Sequence, residues 1–386
     1  MTAWTDRPTI VEKMAADRKI WFVSDLHLGD GTPSDVFFGK DRHLIALIER
    51  VEKEGSVLVV VGDAIDFNQA WSFVRVLRAH QELFSAMTRL GREGQLFYVV
   101  GNHDYDLSFF HELLHFRVCD ELHIGKRILV RHGWQYDPYL ALALGHGHQW
   151  STSIHHLVER YLNTWLRIPL GEFYTFSNRL LFWLVHKIGV GAGVWNALIE
   201  RLGFSDMTIG MGYLDYWTHA NMGDSMGMFR PVWKHLNEGP WQFIVCGHSH
   251  IPGVIKSGDR AYVNSGSWTF ASSHYLIWDN QQFMSRDWIT GRKFRQELYE
   301  HLLDGSIYET NFTQWWRRNY MGMLRFREGE ERAGRLAGWE SYVRDYQYLS
   351  MQQPRYLDKL HDKTNEHNDD NDDDNDDNDT KPEDKT

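Results

Sequence analysis

Five short runs of consecutive apolar residues punctuate the chain: Ile20–Val23, Val57–Val61, 96–100, Ile128–Val130 and Phe243–Cys246. Their unbroken apolar character predicts strands buried on both faces. Between the early runs the period changes to that of a helix. Over 43–54, Leu44, Leu47, Ile48 and Val51 share one face, and Gly55 offers a C-terminal cap. The stretch 73–90 repeats this design as a single helix, with Leu77, Leu83, Phe84, Met87 and Leu90 ahead of Gly91. Strand alternating with helix predicts an α/β sheet.

From about 139 to 240 the pattern is different. The segment is helix-like, dense in Trp, Phe, Leu and His, and lacks any strand followed by a polar turn. It reads as a cap inserted into a core that covers 18–138 and 241–300, where strand signals return at 241–246 and continue at 261–263 and 275–278. Residues 301–360 read as a helical, amphipathic region. The run of Asp and Asn in 361–386 has no apolar surface to bury and is expected to be disordered.

Charge follows this division. The whole chain carries −11, but the tail holds twelve acids against three lysines, a net of −9, so the rest stands at −2. A nearly neutral fold with no basic stripe argues against nucleic acid as a partner. Two cysteines provide no disulfide framework, and the polar first twenty residues contain no apolar signal run. Both features predict a cytoplasmic protein.

Each predicted strand is followed at once by groups able to bind metal. They are Asp25 and His27, then Asp63 with Asp66 beyond it, then Asn102 with His103 and Asp104, then His132, then His248 and His250. In α/β sheets ligands bind beyond the carboxyl ends of strands, so these loops should meet at one edge. Two Asp, one Asn and four His give mixed oxygen and imidazole donors without thiolate. Such a set suits Mn first, with Fe or Zn as alternatives, and not Ca. Seven ligands exceed the needs of one tetrahedral ion, whereas two divalent ions sharing a carboxylate use them economically. A second Gly-His-x-His, at 145–148, follows an Ala/Leu-rich helical stretch, so His146 and His148 read as cap residues.

The ordered set DLH, GDAID, GNHD, HG and GHSH resembles the calcineurin-like metallophosphoesterase superfamily over about 18–138 and 241–280. That resemblance implies a four-layer α/β/β/α sandwich with a helical cap insertion, and hydrolysis of a phosphoester or pyrophosphate by a metal-bridging hydroxide. It assigns Asp25, His27 and His250 to one ion, Asn102, His132 and His248 to the other, and Asp63 to both. His103 matches the proton donor to the leaving group, oriented by Asp66, and Asp104 reads as a supporting loop residue. Phe67 stands where protein Ser/Thr phosphatases carry an arginine. The cap and the openings SDLHLGD and GDAIDF look more like the UDP-2,3-diacylglucosamine diphosphatase group. His103 and Trp134 depart from that group, which favours Arg and Asp at the matching places.

The expected partner is therefore a phosphorylated small molecule or a lipid-linked substrate. Trp165, Phe173, Tyr174, Phe176, Leu181, Phe182, Trp183, Trp195 and Leu198 crowd into 161–203. His186, Lys187 and three glycines within 180–199 argue against a bare membrane span. The cap's own core, an acyl-chain pocket and a peripheral membrane face remain as readings of it. Arg160, Arg167, Arg179, Lys187 and Arg201 would suit phosphate or headgroups. The alternatives are a phosphatase or phosphodiesterase on a soluble nucleotide or phosphomonoester, and a non-catalytic scaffold of the same fold. The sequence assigns no oligomeric state.

Overall fold

A computed structural model describes residues 8–32, 35–37, 39–70, 72–137, 176–204, 207–210, 227–269, 272–289 and 291, together with 305 and 309. In chain order the first half contains β1 (Val11–Met14), β2 (Ile20–Val23), α1 (Asp41–Lys53), β3 (Val57–Val61) and α2 (Phe67–Ala70). There follow α3 (Phe73–Ala79), α4 (Gln81–Arg92), β4 (Leu96–Val99), β5 (Arg117–Cys119), β6 (Glu121–Ile124) and β7 (Ile128–Val130). The second half contains α5 (Phe176–Arg201), α6 (Phe229–Glu238), β8 (Phe243–Cys246) and β9 (Gly253–Ser257). It ends with β10 (Arg260–Asn264), β11 (His274–Asp279) and β12 (Gln282–Asp287).

These strands form two six-stranded sheets, ordered β12-β11-β2-β3-β4-β5 and β1-β6-β7-β8-β10-β9. Successive residues of a strand point to opposite faces, and the core divides accordingly. Trp21, Val23, Leu58, Val60, Leu96 and Tyr98 pack outward against Leu44, Leu47 and Val51 of α1 and Leu83 and Leu90 of α4. Ile20, Phe22, Val57, Val59, Val61 and Val99 face inward onto Leu122, Ile128, Val130, Val245 and Val263 of the other sheet. Leu129, Ile244, Cys246 and Tyr262 take Phe229, Val232 and Leu236 of α6 on the far side. The result is helix, sheet, sheet, helix: the expected four-layer α/β/β/α sandwich, and the reason the central strands are apolar without alternation.

The single helix expected over 73–90 is two helices that meet at His80. The apolar period runs through the junction, but His80 turns its ring between Asp35 and Asp41, at 3.2 and 2.8 Å, and the backbone leaves helical geometry there. The sequence pattern also passes over β1, β5, β6, β9 and β12. All but β6 are edge strands, where an exposed side admits polar residues such as Glu12, Arg117, Lys256 and Arg286. β6 lies inside its sheet and alternates half-buried Glu121 and His123 with buried Leu122 and Ile124.

Of the stretch assigned to the cap, α5 and its sequel to 210 are described, and 227–240 carries α6 of the outer layer. His146, His148, Arg160, Trp165, Arg167, Phe173 and Tyr174 lie outside the described residues, as do the side chains of Phe176, Arg179, Leu181, Phe182 and Trp183. The 301–360 region, apart from 305 and 309, and the acidic tail also lie outside them.

Candidate metal centre

β2, β3 and β4 run parallel, as do β7 and β8 in the second sheet. Their carboxyl ends therefore open into one set of loops, and backbone bonds stitch these together. Asp25 N–H donates to Gly62 O at 3.0 Å, His27 N–H to Asp63 O at 2.9 Å, and Gly247 N–H to His132 O at 2.8 Å. A side chain at Gly101 would collide with Asp63, and one at Gly247 with Asp25 and Ser24. Close approach, not flexibility, fixes these two glycines.

The backbone marks the site independently. Asp25, His27, Asp63, His248 and His250 have φ between 49° and 63°, the left-handed region. Only Asn280 and Gln281 join them among the described non-glycine residues. Such conformations cost free energy and persist where the surroundings impose them, commonly at functional sites. DLH and HSH adopt the same device, left-handed at the first and third residue. Each thus turns two side chains inward from one tight loop.

The side chains form two clusters. Donor atoms of Asp25, His27 and His250 all lie within 4.8 Å of one another, and so do those of Asp63, His132 and His248. Asp63 Oδ2 reaches both, at 3.0 Å from His132 Nε2 and 4.0 Å from His27 Nε2. His250 Nε2 lies 3.2 Å from Asp25 Oδ1. His103 N–H donates to Asp63 Oδ1 at 2.8 Å, which sets Asn102 beside the clusters. All seven residues named from sequence thus occur in one place.

A third group joins Asp66 to two rings. His27 and His103 each donate Nδ1–H to it, at 3.1 and 3.0 Å, and the rings meet edge to face at 4.6 Å. His132 donates Nδ1–H to Val61 O at 2.6 Å, and His248 donates Nε2–H to Asp137 Oδ2 at 3.1 Å. The atoms left over are informative. His27 Nε2, Asn102 Oδ1 and His132 Nε2 are buried and have no hydrogen-bond partner in the protein.

Burial opposes ionisation of Asp25 and Asp63, but imidazoles outweigh it. His250 and His132 hold Asp25 below its usual range, and His132 and His103 hold Asp63 further below. Asp66 is held low against its burial by His103 and His27. His132, despite burial, is raised to about 9 by Asp63 and Asp25. His248 is lowered by burial and by the charge of His132, against its bond to Asp137.

Two further carboxylates support the site. Asp104, expected as a supporting loop residue, is fully buried and accepts from Ala64 N–H and Gly101 N–H at 2.7 and 2.6 Å and from the Tyr98 hydroxyl. It pins the GDAID loop to the GNHD loop, and burial with the nearby charge of Asp63 raises it to about 6. Asp137 closes on His248 from the end of the HG turn. All that marks it in the sequence is an acid five residues past His132.

The family model described as calcineurin-like phosphoesterase matches residues 18–252. A UDP-2,3-diacylglucosamine hydrolase from Porphyromonas gingivalis (strain ATCC BAA-308 / W83) is 25% identical over 268 residues, covering 68% of this chain and 94% of that protein. Among solved structures, the phosphoesterase Yfce from E. coli is 13% identical, with 72% of this chain and 97% of that one covered and a TM-score of 0.33. A dimetal phosphatase from Danio rerio is 12% identical, with 70% and 95% covered and a TM-score of 0.34.

Proposed function

The chain belongs to the calcineurin-like phosphoesterase family of metal-dependent hydrolases, and from that premise we propose that it cleaves a phosphoester or pyrophosphate bond with two divalent cations. Asp25, His27 and His250 would hold one, Asn102, His132 and His248 the other, and Asp63 both. One observation carries this reading: three buried ligand-type atoms of that set, His27 Nε2, Asn102 Oδ1 and His132 Nε2, have no hydrogen-bond partner in the protein. An unpaired buried polar atom costs roughly 1–3 kcal/mol. Three such atoms within one ligand set favour a ligand that the chain does not itself supply.

The donor set suits Mn first, then Fe or Zn; Cys119 and Cys246 are buried, and neither belongs to the clusters. When bound, the two cations supply Lewis acidity, activating a water and neutralising phosphoryl charge. The protein's own part is orientation and proton delivery. Asp66 commits Nδ1 of His103, leaving Nε2 to protonate the departing oxygen. His103 is the more exposed of the two rings on Asp66, at 18% against 8% for His27, as a group that meets substrate must be.

For the substrate we favour a lipid-linked phosphate, with the cytoplasmic side of a membrane as the place of work. The relative at 25% identity bears the name of a hydrolase of a diacylated sugar nucleotide. Within this chain, α5 buries Ala192 and Ile199 but exposes Leu184, Ile188, Val190, Val194, Trp195 and Leu198, with exposed Leu202 just beyond its end. The exposed Phe204, Met207 and Ile209 extend that surface. This exposed apolar surface fits an acyl chain or a membrane surface; no described helix is long and apolar enough to cross a membrane.

The test pairs wild type with the double variant Leu198→Ser, Leu202→Ser, assayed with Mn on a diacylated sugar-nucleotide, on nucleotides and on p-nitrophenyl phosphate. Losing two apolar contacts of roughly 1.5–3 kcal/mol each when buried should raise KM for the lipid by at least about tenfold and leave the soluble ester unchanged. Turnover of a soluble nucleotide with none of the lipid would instead establish the soluble-substrate phosphatase.

A further inference from the structure

Each imidazole has two nitrogens, so a ring that points one at an ion needs an acceptor for the other. For His27 that acceptor is Asp66, and for His132 it is the carbonyl of Val61. For His248 it is Asp137, a residue outside every motif of the site.

Asp137 is fully buried and His248 is 5% exposed, so the contact lies inside the protein. The chain fixes Asp137 from behind: its N–H donates to Trp134 O at 3.1 Å, closing the short turn Trp134–Tyr136 that comes after Gly133. A buried carboxylate is costly unless donors meet it, and His248 Nε2–H is such a donor. The backbone of His248 is clamped as firmly, at φ 63°, with its N–H given to Asp25 at 3.0 Å. With Nε2 taken, Nδ1 is the nitrogen left for the Asp63–His132 side.

We propose that Asp137 is a positioning residue for the second cation, selecting the His248 tautomer and ring rotation that present Nδ1 to it. This rests on the two-cation reading above. Asp137 is not among the cation ligands; it acts on the site through its bond to His248.

The experiment measures Mn(II) binding to the metal-stripped full chain by titration calorimetry and elemental analysis, for wild type, Asp137→Asn and Asp137→Ala. Melting temperatures of the metal-free proteins are recorded alongside. Wild type should take up two ions. Asp137→Ala should keep one at wild-type affinity and bind the other about 10–100-fold more weakly, the usual cost of removing such an outer partner. Asp137→Asn, which retains an acceptor oxygen of the same shape, should lose less. If Asp137→Ala does not fold, Asp137→Asn decides: a weakened second ion supports the assignment. Two ions at wild-type affinity in every folded variant, even with a lowered metal-free melting temperature, overturn it and leave Asp137 as a fold residue. Fewer than two ions on wild type would bring down the two-cation reading itself.

Discussion

The cluster around His80 and the cluster around Asp63 are built from the same residue types, yet they differ in what their rings leave over. His80 lies between Asp41 and Asp35 with both ring nitrogens engaged, at 2.8 and 3.2 Å. Around Asp63, by contrast, His27 and His132 each spend Nδ1 on an acceptor and leave Nε2 buried without one. The backbones differ as well. The ligand-bearing loops take left-handed conformations at Asp25, His27 and Asp63, whereas His80 has φ −122°. Histidine and aspartate in proximity do not make a metal centre; unsatisfied donor atoms held by strained loops do. The closed cluster is a structural pin between α3, α4 and the loop after β2.

The comparison breaks first at Asp63. Asp63→Ala should abolish turnover and deplete both ions, since its Oδ2 reaches a histidine of each cluster. Elemental analysis of the dialysed variant checks this, and two full equivalents of metal would show that Asp63 does not bridge. His103→Ala should keep its metal and slow hydrolysis by about 10²–10⁴-fold, as for a lost general acid. The loss should be smallest with p-nitrophenyl phosphate, whose leaving group needs little protonation. An equal loss on alkyl and nitrophenyl esters would assign His103 to substrate positioning.

The contrast also explains what sequence could and could not reveal. The seven ligand-type residues were legible because each comes just after an apolar run, and strands that end together bring the loops beyond them together. The division of those residues between two clusters was implied by the resemblance to the family and not by their spacing, since the two residues of DLH share a cluster and the two histidines of GHSH do not. The left-handed backbone was not legible, since Asp and His carry no signal of φ as glycine does. Asp137 escaped because its partner His248 is 111 residues away. His80 escaped because it interrupts an otherwise regular amphipathic pattern; only the fold brings Asp35 and Asp41 to it. The edge strands were hidden by their polar residues, and β1 by its distance from β6, with which it pairs in parallel.

Substitution at the closed cluster should show the opposite profile. His80→Gln removes one of the two charge-assisted bonds to Asp35 and Asp41, so metal content and kcat should stay at wild-type values. Breaking a buried hydrogen bond to a charged group costs roughly 1–3 kcal/mol, a melting-temperature loss of several degrees for a domain of this size. A variant that loses activity at temperatures where it remains folded would mean that the His80 cluster belongs to the site after all.

The smallest effect is the pH dependence of that stability difference, and its sign is set by the charge on His80. Burial disfavours the imidazolium, but the hydrogen bonds and charges of Asp35 and Asp41 prevail and raise its pKa from 6.5 to about 9 in the folded protein. A group raised on folding binds its proton more tightly in the native state. Its stabilisation is therefore fully present below the unfolded value of 6.5 and fades as pH climbs through about 9. Carboxylates held low elsewhere would lose their contribution at acid pH instead; His132, also raised to about 9, shares the alkaline window but titrates alike in wild type and variant. The gap in melting temperature between wild type and His80→Gln, measured on metal-free protein, should be widest near pH 6 and narrow toward pH 10. Taking the difference cancels other groups that titrate alike in both proteins. A gap that stays constant over that range would mean that His80 is held neutral, and that its bonds to the two carboxylates do not carry a charge.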